Sequence, residues 1–117
     1  MDIHTNTGNG MEGKESLERW ASGELRDKLS RFAQDVHRVE VHLSDVNGDK
    51  GGASDKRCMI EAHVDRHAPV AVTHEASTLD EAFRGATTKA QRALDSLLGR
   101  LRDHRDHTTI RTQAETL

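Results

Sequence analysis

The sequence predicts an α+β fold, β-α-β-β-β-α, with a four-stranded mixed sheet and two helices packed on one of its faces. Three observations carry this. Apolar residues recur at steps of three and four in two segments. They alternate at a step of two in the segments between. Clusters of Gly, Asn, Asp and Ser separate several of these segments.

The first strand is short, about Asp2 to Asn6, with Ile3 as its one strong apolar residue. A glycine-rich stretch from Gly8 to Gly13 follows. Leu17, Trp20, Ala21, Leu25, Leu29, Phe32 and Val36 then lie on one face of a helix placed at Glu15 to Gln34, with Gly23 inside it.

The period then changes. Val39, Val41 and Leu43 alternate with Arg38, Glu40, His42 and Ser44 in a second strand. The run from Asp45 to Ser54 has the composition of a loop. In a third strand Cys58, Ile60, Ala62 and Val64 take one face, and Met59, Glu61 and His63 the other. A turn around Arg66 to Pro69 leads to a fourth strand with Val70 and Val72 on one parity.

The second helix opens with Thr78-Leu79-Asp80-Glu81, a capping box in which the Thr hydroxyl and the Glu carboxylate each serve a free N–H. Its buried stripe runs through Ala82, Phe83, Ala86, Ala90, Leu94, Leu97 and Leu101. The period fades near Arg105, which predicts one domain over residues 1–105 and a flexible tail over 106–117. Each strand and each helix has one apolar face. Two helices laid on one side of the sheet bury all of them and leave the other side wet. The strand–helix–strand crossover makes the first two strands parallel; the second, third and fourth form an antiparallel meander.

A chain of 117 residues suits one domain. A single Cys excludes a disulfide framework and fits a reducing compartment. No apolar run reaches membrane-spanning length, and Met1-Asp2-Ile3-His4 does not read as a signal peptide; the expected address is the cytoplasm, with no membrane partner. The formal net charge of −3 argues against a free-standing nucleic-acid binder, and no DNA partner is expected. The charges are unevenly placed, however. Arg84 to Arg105 holds six Lys/Arg against two acids, Asp95 and Asp103.

Several constellations invite chemistry. Gly8-Asn9-Gly10-Met11-Glu12-Gly13 matches the dinucleotide pattern and stands between a strand and a helix. A first strand with only Ile3, followed by a meander, does not fit such a fold, and a flexible loop is the simpler reading. His4, His42 and His63 share the polar parity of their strands, so a three-His metal site is conceivable; a wet face carrying exposed histidines explains the same pattern. His74 falls on the inward parity and reads as a packed histidine. Cys58 reads as a small buried hydrophobe, and no nucleophile elbow or triad is visible, so no enzyme activity or cofactor is expected.

The basic residues of the second helix are the main functional feature. On a helical wheel Gly85, Lys89, Arg92, Ser96 and Arg100 form a ridge along one flank, with Arg84 and Arg102 on the opposite flank. Cations held on a rigid helix track phosphates with little ordering cost, and Gly85 would allow a close approach. The alternative is a solvated helix face with i,i+4 pairs. Trp20, Phe32 and Phe83 all fall on core stripes, so any RNA would be bound by shape and backbone rather than by stacking.

Arg38-Val39-Glu40-Val41-His42-Leu43, Asp55 to Ala62, and Leu79-Asp80-Glu81-Ala82-Phe83-Arg84-Gly85-Ala86, followed by Lys89 and the basic run to Arg105, resemble the ribosome hibernation promoting factors, the family that includes protein Y. The resemblance implies the same fold. It also implies binding to rRNA of the small ribosomal subunit, in the channel used by mRNA and tRNA, which silences idle ribosomes under stress or in stationary phase. By position Lys89, Arg92, Arg100, Arg102 and Arg105 match the family's rRNA-facing cations. Lys28 and Arg31 match basic positions on the first helix, and Arg84 joins the set. Asp27, Asp95 and Asp103 interrupt the cations. The chain resembles the short type, which would need a second hibernation factor to form ribosome dimers. The rival readings are a protein-binding module of the same fold without rRNA affinity, and a metal-binding protein using the open-face histidines.

Overall fold

The computed structural model describes residues 1–8, 14–45 and 55–116, with the side chains of Lys14 and of residues 103–116 outside the description. The order of elements is β1 (Asp2–Thr7), α1 (Lys14–Lys28), a 3-10 turn (Ser30–Phe32), β2 (Val36–Asp45), β3 (Lys56–Val64), β4 (Val70–Ala76) and α2 (Leu79–Thr116). The strands form one four-stranded sheet in the order β1-β2-β3-β4. β1 runs parallel to β2, and the other two pairings are antiparallel.

Alternation decides which face is buried. Val39, Val41 and Leu43 on β2, and Cys58, Ile60, Ala62 and Val64 on β3, point into the core. Ala21, Leu25 and Leu29 of the first helical segment and Ala82, Phe83, Ala86, Ala90, Leu94 and Leu97 of α2 meet them there. β1 adds half-buried Ile3, and Thr5 Oγ1 shares a 2.9 Å hydrogen bond with Ser22 Oγ of α1.

The chain departs from the sequence expectation in four places. The first helix ends at Lys28 rather than Gln34. The chain there tightens into the 3-10 turn that carries buried Phe32, through Phe32 N–H donating to Leu29 O at 3.0 Å. Val36 belongs to β2, not to the helix. Its four-residue spacing from Phe32 imitates a helical repeat. A register shift between Val36 and Arg38 then keeps Val36 in the core despite its odd spacing from Val39. Trp20 is 36% exposed at the border of the helical stripe, not within it, and its ring lies 4.9 Å from that of Phe83. Finally, the α2 backbone is helical through Thr116, past the end expected near Arg105. The segment after Gly99 has no Gly or Pro to break it and is built of acceptable helix formers, although its hydrophobic period is lost.

The start of α2 follows half of the expected capping box. Glu81 N–H donates to Thr78 Oγ1 at 3.1 Å. The Glu81 carboxylate accepts instead from Ser77 Oγ at 3.2 Å. No helix of the described residues is long and apolar enough to cross a membrane.

Candidate nucleic-acid interface

Both helices cover the same side of the sheet, and the expected cations are distributed over their outer flanks. The end of α1 is fixed against the middle of α2, where Gln91 Nε2 donates to Lys28 O at 3.0 Å. Lys28 lines a cleft of ≈ 340 Å³ between the helices, with Trp20, Glu24, Phe83, Arg84 and Thr88 among its walls.

The candidate cations fall into two groups. Three have internal partners. Arg31 pairs with Asp95 at 2.9 Å and lies over the Phe32 ring at 4.5 Å. Arg84 binds Asp80 through Nε at 3.0 and 2.9 Å, an i,i+4 pair, and the Asp80 hydrogen bond and charge hold its guanidinium above its ordinary pKa. Lys89 Nζ donates to Thr73 O of β4 at 2.8 Å, so this cation also serves the outer edge of the sheet. The others have no such partner. Lys28, Arg92, Arg100 and Arg102 are exposed, and no carboxylate of a described residue lies within 4.0 Å of their charged groups. The Arg105 side chain lies outside the described residues.

Of the ridge read from the helical wheel, Lys89, Arg92, Ser96 and Arg100 are exposed, and its three cations differ in their partners. Arg92 and Arg100 make no ion pair with a carboxylate of a described residue, whereas Lys89 is held by a backbone carbonyl. Gly85 does not provide an approach for a phosphate. The His74 ring occupies the space beside it, so the missing Cβ lets helix and sheet pack closely. The sequence marked both residues but not that they meet.

The open face of the sheet does not assemble the three-His set. His4 pairs with Glu40, His42 lies between Asn6 and Met59, and His63 pairs with Arg38, four positions along β2 from His42. His63 instead faces Glu40 and Glu61. The dinucleotide reading fails on topology, because among the described residues β1 and β2 are the one parallel pair. Gly8 extends the β1–β2 ladder through its N–H to Leu43 O at 2.8 Å, and the rest of that motif lies outside the described residues. Cys58 is fully buried, and burial pushes its thiol up to about 12.

A family profile described as Sigma 54 modulation protein / S30EA ribosomal protein matches residues 5–102. The chain belongs to this family. The match spans β1 through most of the described part of α2, the region over which the hibernation-factor resemblance runs. Two solved structures share the fold of this S30EA-family chain. The protein Y N-terminal domain of Thermus thermophilus aligns with a TM-score of 0.64 at 21% identity, covering 83% of this chain and 99% of that one. A ribosomal subunit interface protein from Coxiella burnetii aligns with a TM-score of 0.64 at 11% identity, covering 85% and 99%. A search of curated protein sequences gave no match.

Proposed function

We propose that this S30EA-family chain is a non-enzymatic, ribosome-associated translation inhibitor that binds rRNA of the small subunit. It occupies the channel used by mRNA and tRNA and holds ribosomes inactive under stress. Family membership supports the ribosome as partner. The observation that carries the RNA-contact surface is the set of uncommitted cations on the helix side: Arg92, Arg100 and Arg102 on α2 with Lys28 on α1. They are fixed on a packed scaffold, so each can neutralise a phosphate without ordering the chain first. Lys89, Arg84 and Arg31 join by exchanging their internal partners, and Arg105 extends the same run. A net charge of −3 does not oppose this, because what a phosphate meets is the local field of the helix flank.

Occupation of the channel is tested by competition. Small subunits preloaded with the protein should bind neither a short mRNA nor an anticodon-matched tRNA until the protein is removed by salt. Simultaneous binding of the protein with both ligands would refute the channel assignment while leaving ribosome binding intact.

A further inference from the structure

On the open face of the sheet, away from the helices, Glu40 and Glu61 stand directly opposite each other on β2 and β3. Two carboxylates in that position repel. His63 lies two residues from Glu61 on the same strand face. Its Nε2 is 2.9 Å from Glu61 Oε1 and 3.7 Å from Glu40 Oε2. That nitrogen is buried from solvent, yet it makes no hydrogen bond. Two carboxylate oxygens stand beside it without meeting the geometry of a hydrogen bond.

One donor atom from each of Glu40, Glu61 and His63 lies within 4.8 Å of the others. The remaining oxygen of Glu40, Oε1, accepts from Arg38 Nη2 at 2.8 Å. This contact orients the carboxylate and leaves Oε2 facing the imidazole, the kind of outer contact that fixes a ligand in place. Two carboxylates and one guanidinium leave a net negative charge before any ion arrives.

We propose that Glu40, Glu61 and His63 form a binding site for one divalent first-row transition ion of the Zn²⁺ type. The three ligands leave a fourth position to water. An imidazole with two carboxylates suits Zn²⁺. Ca²⁺ prefers a larger all-oxygen shell, and Mg²⁺ an octahedral oxygen set rich in water. Bound there, the ion joins β2 to β3 and replaces the repulsion between the two glutamates with a shared ligand. The site lies on the sheet face opposite the helices, so its occupancy and the binding of RNA by the helix cations can fail separately.

The test uses the full metal-stripped chain, titrated with Zn²⁺ by calorimetry and with Co²⁺ by visible absorption. The expected result is one ion per chain with a four-coordinate Co²⁺ spectrum. Affinity should fall about 10–100-fold or more in Glu61→Gln and in His63→Ala, and should be retained in His4→Ala/His42→Ala. The chain has eight His, so the last variant separates this site from adventitious binding. Glu61→Gln preserves side-chain shape and keeps the test valid should His63→Ala fold poorly. Excess Zn²⁺, at about 100 times its dissociation constant, should raise the melting temperature of the wild type by about 10 °C and that of Glu61→Gln by about half as much or less. Failure to bind either ion would overturn the proposal and leave His63 as an ion-pair partner only. Equal binding in wild type, Glu61→Gln and His63→Ala, or loss only in His4→Ala/His42→Ala, would overturn it as well.

Discussion

Gly85 of α2 faces the imidazole of His74 on β4 so closely that no methyl group fits between them. Two effects compete if Ala replaces this glycine. Helix propensity favours Ala by about 1 kcal/mol. Overlap with a ring packed under the helix costs about 1–3 kcal/mol. The overlap should win, and Gly85→Ala should destabilise the domain by up to about 2 kcal/mol in urea unfolding. In a His74→Ala background the ring is gone and the same change should become neutral or stabilising. A double-mutant cycle measures this coupling directly. Equal costs in both backgrounds would contradict the assigned contact.

Thr78→Ala should lower stability by about 1 kcal/mol, because the hydroxyl accepts the Glu81 N–H at the first turn of α2. Thr78→Ser keeps the acceptor and should restore most of it. Chemical denaturation of the pair provides the check.

Asp95 holds Arg31 at 2.9 Å across the junction of the helices. Both side chains are about half exposed, so removing the pair should hardly move the denaturation midpoint. Its effect on RNA binding should be larger. Asp95→Asn frees Arg31 and removes a negative charge from the helix flank, and affinity for small subunits should rise several-fold at low salt and converge with wild type at high salt. An unchanged affinity at low salt would remove Arg31 from the contact surface.

Cys58 should resist thiol reagents in the folded protein and react at once when denaturant is added, because it is fully buried and its pKa is raised by burial to about 12. The sign of the accompanying pH effect is fixed. The unfolded thiol ionises at lower pH than the folded one, so the unfolded state loses its proton first. This contribution leaves stability unchanged below the ordinary thiol value of 9.0 and reduces it as pH rises from there towards about 12. Cys58→Ala should lack that component of the alkaline loss in denaturation curves taken across the range.

The architecture was legible because each element carries its own period: the step of two in Val39, Val41 and Leu43, the step of four in Ala21, Leu25 and Leu29, and the cap at Thr78. What the sequence hid depends on relations between elements. Val36 satisfied the helical period of its predecessors while belonging to a bulged strand. Trp20 satisfied the stripe, but its position at the seam of two helices leaves it part-exposed. Parity placed His4, His42 and His63 on one face correctly, yet the register between strands, which parity does not specify, brings His63 to Glu40 and Glu61 instead. The basic run on α2 was visible from composition. Which of its cations are already committed, as Arg84 is to Asp80 and Lys89 to Thr73, could be read only from the packed structure.

The central claim is that uncommitted cations on the helix side hold the protein on the small ribosomal subunit. The most direct measurement is co-sedimentation of the purified chain with small subunits across a salt series, wild type beside Arg92→Glu/Arg100→Glu, with folding of the variant verified by circular dichroism. With about four phosphate contacts, wild-type affinity should fall roughly a hundredfold between 50 and 200 mM salt. The variant should bind far more weakly at low salt, with a shallower salt dependence. Absence of wild-type binding at low salt, or binding that the double reversal leaves unchanged, would contradict the account.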